Sequence, residues 1–283
     1  MKKFIRLLMV AVIFQAGIYF YFDRVVLVPA ASFSQQLILE GNKQAIDPDK
    51  ISTDQKYYAK LQTDSVILLT ADNKEVKNVP LLAEESVSYF SWVPNTHLVL
   101  IGISTSTPKS TSVTLKAINL DTNSLPEEPK ISGLSAGAKI DSVAFSPLVN
   151  VTYMRVTTKT SSSIYRTDAN NKLTKVFSNS TVARIACLQS VDMLLYDNKS
   201  DKSVYSRSTN GTTKMVSPKV GHFALIGADK DDNIYIGRLS STGLVSAILK
   251  GTIKGNFKEY QTLTAPAPQA SITVSYDGKL KLN

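Results

Sequence analysis

Beyond about residue 50, apolar positions occur in short runs separated by polar turn residues. One unit consists of Ser65–Thr70, the polar turn Ala71–Lys74 and then Glu75–Val79. The runs are rich in Val, Ile, Thr and Tyr and the breaks in Asn, Asp, Gly and Ser, which is typical of strands joined by tight turns. No run past residue 50 keeps the helical period of about 3.6 residues. The pattern therefore predicts an all-β domain.

The same strand-and-turn unit recurs along the chain. Runs that predict inner strands begin near residues 87, 140, 182, 222 and 271, and further strand-like runs follow the first four. Four strands in every ~40 to 50 residues are typical of the blades of a β-propeller. We therefore expect a β-propeller, with a β-sandwich of long hairpins as the structural alternative.

The two ends of the domain predict how the ring closes. Ser271–Leu282 supplies only the inner hairpin of a blade, whereas Ser65–Val79 supplies only an outer hairpin. Joining them would complete a shared blade and remove the exposed strand edges of an open ring. We therefore expect about five four-stranded blades closed by pairing of the two domain ends. Six blades are the alternative if Tyr57–Leu61 belongs to another sheet.

The N-terminus predicts a membrane segment. Residues 7–22 carry no charge, and Lys2, Lys3 and Arg6 lie near their start. Basic residues stay on the cytoplasmic side of a membrane, so the domain that follows is expected outside the cytoplasm. The pattern indicates one N-terminal transmembrane helix in the cell membrane, with a single pass.

The predicted organisation has three parts. Residues 1–24 form a membrane anchor or an uncleaved signal segment, residues 25–50 a stalk, and residues 51–283 the β-propeller domain. Small residues around Ala30 offer an alternative, in which cleavage there releases a secreted form.

Composition limits the classes of partner. The formal net charge is +9 and the only cysteine is Cys187, so no internal disulfide can form. A basic surface suits an anionic envelope polymer or another envelope protein, and the anchor would contact the membrane. The chain has no arginine-rich cluster, so nucleic acid is not an expected partner.

One blade resembles a known repeat. The residues that carry the resemblance are Val143–Pro147, Val151–Tyr153, Ile164–Asp168 and Lys172–Thr174, with degenerate copies at Ser91–Asn95 and Ser275–Lys279. They resemble the repeat of TolB-like and WD-like β-propellers, in which an aromatic-Ser-Pro turn is followed by an aliphatic strand, an Ile-Tyr strand and a Leu-Thr strand. The resemblance implies an extracytoplasmic propeller that serves protein–protein contact. It carries over no catalytic residue.

Three features of the chain resemble catalytic or metal-binding motifs. Gly133–Gly137 matches the G-x-S-x-G pattern, but no helix follows it. His97 and His222 lack partners at metal-binding spacing, and Asp229–Asn233 lacks the glycine and glutamate of a calcium loop. The sequence therefore predicts no catalytic residue, no cofactor and no metal.

The resulting functional prediction is a membrane-anchored, non-catalytic module that binds a protein or an envelope polymer, and not an enzyme. Its candidate partner-binding residues are Tyr89, Trp92, Arg184 and His222. The alternative is an envelope glycan hydrolase or lyase with a site at the mouth of the propeller channel. Small hydroxyl residues dominate the starts of the inner strands, which favours the binding module over proton-transfer chemistry.

Overall fold

The computed structural model describes residues 50–122, 129–179 and 181–282. Contacts between residues group Asp49–Asn283 into one compact unit. The predicted anchor and nearly all of the predicted stalk lie outside the described residues. Within the described ranges, no helix is long and apolar enough to cross a membrane.

In these ranges, six antiparallel sheets follow one another along the chain. The first contains β1 (Tyr57–Leu61), β2 (Ser65–Thr70) and β3 (Glu75–Pro80). The second contains β4 (Glu85–Trp92), β5 (Leu98–Ser106), β6 (Thr111–Asn119) and β7 (Lys130–Leu134). The third contains β8 (Lys139–Ser146), β9 (Val151–Thr157), β10 (Ser162–Thr167) and β11 (Leu173–Ser178).

The remaining three sheets complete the domain. The fourth contains β12 (Val182–Cys187), β13 (Met193–Asn198), β14 (Ser203–Ser208) and β15 (Thr213–Met215). The fifth contains β16 (Phe223–Ala228), β17 (Ile234–Leu239), β18 (Val245–Gly251) and β19 (Lys258–Ala267). A short 3₁₀ helix, Gln269–Ser271, leads into the sixth, which contains β20 (Ile272–Val274) and β21 (Leu280–Leu282). This series of mostly four-stranded sheets fits a β-propeller and confirms the predicted all-β class.

The first strands of the last five sheets lie next to one another. Strand β4 contacts β8, β8 contacts β12, β12 contacts β16, and β16 contacts β20. Buried apolar clusters fill the spaces between consecutive sheets. Alternate residues of each strand point to opposite sides of its sheet, so one strand can supply side chains to two of these clusters. The core is therefore a series of layers between sheets.

A β-bulge interrupts the inner strand of four sheets at a similar place. The register shifts after Val87 in β4, Ile140 in β8, Val182 in β12 and Leu225 in β16. An extra residue at a bulge lacks a cross-strand partner, so it can turn toward the neighbouring sheet. The sequence repeat, which shows as a regular spacing of strands, thus also places a bulge at a similar position in each of these four inner strands.

Polar groups at these bulges join each sheet to the next. The Ile140 N–H donates to Ser88 Oγ at 3.3 Å, which links the third sheet to the second. Arg155 pairs with Asp141 within the third sheet and donates to the Val182 carbonyl of the fourth at 2.8 Å. These bonds fix the angular position of neighbouring sheets more specifically than apolar packing alone does.

Arg184 connects the fourth sheet to the two sheets that follow. Its guanidinium donates to three backbone carbonyls, those of Ile226 at 3.1 Å, Ile272 at 2.8 Å and Gln269 at 3.0 Å. The buried Asp197 carboxylate accepts a hydrogen bond from the backbone N–H of Arg184 at 2.7 Å and another from the side-chain amide of Gln269. The C-terminal hairpin is therefore held to the centre of the propeller by a polar network.

The predicted closure of the ring is wrong. Ile272 pairs with Leu282 in the sixth sheet, whereas Val66 pairs with Leu61 in the first, so the two domain ends belong to different sheets. The described residues form six sheets, where five blades are predicted from the sequence. Strand β1 also lies in the same sheet as β2, and not in another one as the six-blade alternative required. Only a short turn separates β1 from β2, and closing a short loop costs less entropy than pairing across the whole domain.

Candidate functional site

The turns that follow the inner strands meet on one face of the propeller. Ser146 Oγ, at the end of β8, donates to the Gln189 carbonyl of the next sheet at 2.9 Å. The Lys230 N–H, in the turn after β16, donates to the Tyr276 carbonyl of the sixth sheet at 2.9 Å. Three adjoining pockets lie on this face, and we call them together the face groove.

The inner pocket of the face groove has a volume of about 100 Å³ and aromatic walls. Its aromatic and proline side chains are Tyr89, Trp92, Pro94, Phe145, Pro147 and Tyr276. They come from the second, third and sixth sheets, so the pocket lies where these sheets converge. Inner strands line the central channel of a propeller, and this pocket lies where they end, whereas the residues predicted to face the channel lie at their starts.

Two of the aromatic side chains in the inner pocket are held firmly. Trp92 is 7% exposed, and its Nε1 donates to the Lys50 carbonyl at 3.0 Å. Tyr89 packs against the cluster between the second and third sheets, and burial raises the pKa of its hydroxyl. The walls of this pocket are therefore ordered without a ligand, which reduces the entropy cost of binding.

The middle pocket is the largest of the three, with a volume of about 530 Å³. It adjoins the inner pocket at Leu100 and Phe145, which line both. Its apolar lining includes Leu98, Leu115 and Ala117, and its polar lining includes Asn119, Asn150, Thr152, Asp168 and Asn171. A few polar groups around an apolar wall are typical of a site for a small molecule.

Local backbone conformation places two of the amides. Asn150 has a φ of 48° and Asn171 a φ of 58°, and asparagine tolerates this left-handed region better than most residues. Asp168 caps the second of these turns by accepting the Asn170 and Lys172 N–H groups at 3.0 and 3.1 Å. The Lys172 bond lowers the pKa of Asp168 and keeps its carboxylate ionised. This carboxylate can therefore accept hydrogen bonds from hydroxyl groups.

The outer pocket has a volume of about 280 Å³ and adjoins the middle pocket at Asp168. Arg166 lies in its wall and donates through Nε to Asp192 at 3.0 Å. The hydroxyl of the buried Tyr153 donates to the same carboxylate at 2.6 Å, and burial raises the pKa of this tyrosine. Lys172 and Arg207 complete a cationic side of this pocket.

A histidine clamp lies beside the middle pocket, where it joins the first two sheets. His97 Nδ1 lies 2.6 Å from Asp121 and Nε2 lies 2.9 Å from Asp54. Both ring nitrogens can donate only when the imidazole is protonated. The hydrogen bond to Asp121, together with the one to Asp54, raises the pKa of His97. Burial opposes ionisation of Asp54, but its hydrogen bond to His97 leaves its pKa well below the usual range.

The structure does not bring the four candidate partner-binding residues together. Tyr89 and Trp92 line the inner pocket. Arg184 is engaged by backbone carbonyls of the domain, and His222 is exposed just before β16. A partner-binding role for these positions stays a prediction. Within the described ranges, no group of three or more His, Cys, Asp or Glu side chains could hold a metal ion.

Sequence reasoning missed two aromatic side chains of the inner pocket, although a signal for them was present. Trp92 and Phe145 occupy the same position in two copies of the repeat, at the end of an inner strand, whereas Tyr276 lies within the turn of the third copy. The repeat therefore places an aromatic ring at the same end of two inner strands. Only Trp92 was singled out, because it lies in the densest aromatic group of the chain.

Comparison with known proteins identifies the fold. No protein-family model and no curated protein matches the chain. Among solved structures, an oligogalacturonate lyase in complex with manganese aligns with a TM-score of 0.55 and 10% identity, over 81% of this chain and 68% of that one. Dipeptidyl peptidase 4 of Porphyromonas gingivalis aligns with a TM-score of 0.50 and 11% identity, over 78% of this chain and 39% of that one. A structure from a study of two prolyl endopeptidases aligns with a TM-score of 0.50 and 14% identity, over 79% and 36%.

These similarities correct one prediction. The chain spans 39% of the dipeptidyl peptidase 4 chain, and at such low identity the similarity shows the propeller fold alone. All three structures are enzymes, so this fold can hold an active site, and the prediction that excluded an enzyme is contradicted. It relied on the few proton-transfer groups at the starts of the inner strands, whereas the face groove lies at their opposite ends and is lined by residues of several strands. A TolB-like family in particular stays a prediction.

Proposed function

We propose that this chain is a propeller that acts on an envelope glycan, which it holds in the face groove with one end at the channel mouth. The observation that carries the proposal is the adjoining series of pockets, with aromatic walls at the inner end and amides in the middle.

The side chains of the groove match the chemistry of sugars. A sugar ring has apolar C–H faces that pack on aromatic rings, and its hydroxyl groups both donate and accept hydrogen bonds. Trp92 and Phe145 supply aromatic surface at the inner end. Asn150 and Asn171 supply amide donors and acceptors, and the ionised Asp168 supplies an acceptor.

Cleavage of the bound glycan is the reaction that we propose for this groove. An oligogalacturonate lyase with this fold supports the choice of an oligosaccharide as substrate, although fold alone does not assign an activity. Hydrolysis and elimination leave different products, because only elimination introduces a double bond into the sugar at the cleaved end. The product therefore distinguishes a hydrolase from a lyase.

We also propose that the groove faces the outside of the cell. The uncharged residues 7–22, with basic residues before them, support an anchor that leaves the domain beyond the membrane. Protease added to intact cells should then degrade the domain, whereas a cytoplasmic marker stays intact. Protection of the domain until the cells are lysed would contradict this location.

Calorimetry with the purified full chain tests glycan binding. Trigalacturonate should bind the wild type, and the double variant Asn150→Gly, Asn171→Gly should bind it about tenfold more weakly, since two amide hydrogen bonds are lost. Glycine suits the left-handed backbone at both positions, so the turns are preserved. Asn95→Gly is the matched control, because Asn95 has a φ of 58° and does not line the groove. Equal loss in the control and the double variant would contradict the proposal.

Incubation with the same trisaccharide tests cleavage. New reducing ends accompanied by ultraviolet absorbance of unsaturated sugars indicate a lyase, and new reducing ends without that absorbance indicate a hydrolase. Turnover should decrease in the double asparagine variant and persist in the Asn95→Gly control. Binding without any cleavage of oligogalacturonate or of wall-glycan fragments would refute the catalytic part of the proposal.

A further inference from the structure

The outer pocket of the face groove contains cationic groups that the protein itself does not neutralise. Arg166 is paired with Asp192 and lies 3.5 Å from Asp168. Lys172 and Arg207 line the same pocket, and in the described part of the chain no carboxylate lies within ion-pair distance of either. Their charges are therefore available to a ligand in the pocket.

Arg207 is held in place before any ligand arrives. Its Nη1 donates to Thr213 Oγ1 at 2.8 Å, and its guanidinium carbon lies 5.5 Å from the centre of the Phe177 ring. The Phe177 ring packs in turn against Tyr196, with ring centres 5.1 Å apart. A guanidinium fixed in this way loses little entropy when it binds an anion.

The surroundings of Arg207 also favour an anion. Thr209 lines the pocket beside it and offers a hydroxyl donor, whereas the Ser208 hydroxyl already donates to Asn210 Oδ1 at 2.6 Å. Gly211 follows in the same turn with a φ of 87°, and a β-carbon at this position would lie 3.4 Å from Arg207 Nη2. The glycine thus leaves room at the outer edge of the guanidinium. Arg207, Lys172 and the Thr209 hydroxyl therefore line one small pocket.

We infer that the outer pocket is an anion subsite, in which Arg207 and Lys172 bind a carboxylate or phosphate group of the glycan. This inference rests on the proposed function and specifies its substrate class as an anionic glycan. A planar guanidinium binds carboxylate or phosphate oxygens through paired donors, whereas the exposed Lys172 adds a mobile charge. The rest of the ligand then extends through the middle pocket toward the aromatic inner end.

Calorimetry on the full chain with matched ligands tests the anion subsite. Trigalacturonate should bind the wild type about tenfold more tightly than its methyl ester, because the ester keeps the sugar rings and removes the charge. Arg207→Gln and Lys172→Gln should each reduce this preference to about threefold or less. Lys172 lies in an exposed turn, so its variant tests the inference even if Arg207→Gln disturbs folding.

Arg238→Gln is the matched control for loss of one positive charge. Arg238 is an exposed arginine of the fifth sheet that pairs with Glu259 at 3.1 Å, and its variant should keep the full preference for the acid. Equal binding of acid and ester by the wild type would overturn the anion subsite and leave glycan binding intact. Failure of both ligands to bind would overturn the subsite and the proposed function together.

A third ligand distinguishes the two sources of negative charge. A glycerol phosphate trimer carries phosphate groups without sugar carboxylates. If it binds more tightly than trigalacturonate and loses affinity in Arg207→Gln, the subsite recognises phosphate. If trigalacturonate binds more tightly and shows the same dependence, the subsite recognises carboxylate. If Arg207→Gln binds both ligands as tightly as the wild type does, the anion subsite is overturned.

Discussion

Replacement of Arg184 by methionine should loosen the C-terminal hairpin from the rest of the propeller. The guanidinium donates to the carbonyls of Ile226, Ile272 and Gln269, which lie in or next to the fifth and sixth sheets. Methionine fills much of the same volume without any donor. The fourth sheet would then lose its direct polar connection through this side chain to the two sheets that follow.

The size of the effect follows from these three bonds. A hydrogen bond to a charged group contributes about 1.5 to 3 kcal/mol, but burying the guanidinium costs several kcal/mol that methionine avoids. Carbonyl oxygens can also accept a second bond, so part of the loss is recovered. We expect Arg184→Met to lower the free energy of unfolding by about 2 to 4 kcal/mol.

Urea denaturation and amide hydrogen exchange together check this prediction. Arg184→Met should lower the urea midpoint and speed exchange in β20 and β21 more than in the other strands. Arg238→Met is the control, since its ion pair is exposed and contributes about 1 kcal/mol or less. If the two variants lose the same stability, or if exchange in β20 and β21 does not change, the structural role assigned to Arg184 is refuted.

Two further predictions concern pH and packing. Because the pKa of His97 is raised in the folded protein, the stability that the histidine clamp contributes is complete below about pH 6.5, the pKa of histidine in the unfolded chain. This stability is lost as the pH rises through the pKa of His97 in the folded protein. The urea midpoint should therefore decline over this range in the wild type and in His222→Gln, but not in His97→Gln; a decline in all three would count against the clamp. Thr167→Val removes a buried hydroxyl that has no hydrogen-bond partner among the described residues, and it should raise the free energy of unfolding by about 1 kcal/mol, whereas a lowered melting temperature would contradict this.

The strands of the propeller could be predicted from the sequence because their signal is local. Runs such as Val151–Val156 alternate with turns rich in Asn, Asp and Gly, and β9 occupies nearly the same range. The closure could not be predicted, because the side of β2 that the β2–β3 hairpin leaves free can pair equally well with a local partner such as β1 or with a distant one. The hydrophobic pattern alone contains no information on that choice.

The candidate site was less accessible to sequence reasoning than the fold. Tyr89 and Trp92 were singled out from aromatic density, and both line the inner pocket. The middle and outer pockets depend on the contact of sheets whose residues lie far apart in sequence, such as Asn119 with Asn171. The position of Arg184 on an inner strand predicts a partner-binding residue, whereas its guanidinium binds carbonyl groups that come from later parts of the chain.

Trp92 provides the most direct test of the proposed glycan groove, because it is the only tryptophan of the chain and lines the inner pocket. Titration of the full chain with trigalacturonate should change its fluorescence in a saturable way. The midpoint should move to higher concentration in the Asn150→Gly, Asn171→Gly variant and stay in place in Asn95→Gly. A wild-type signal that remains constant up to millimolar ligand, with no heat of binding, would contradict the account.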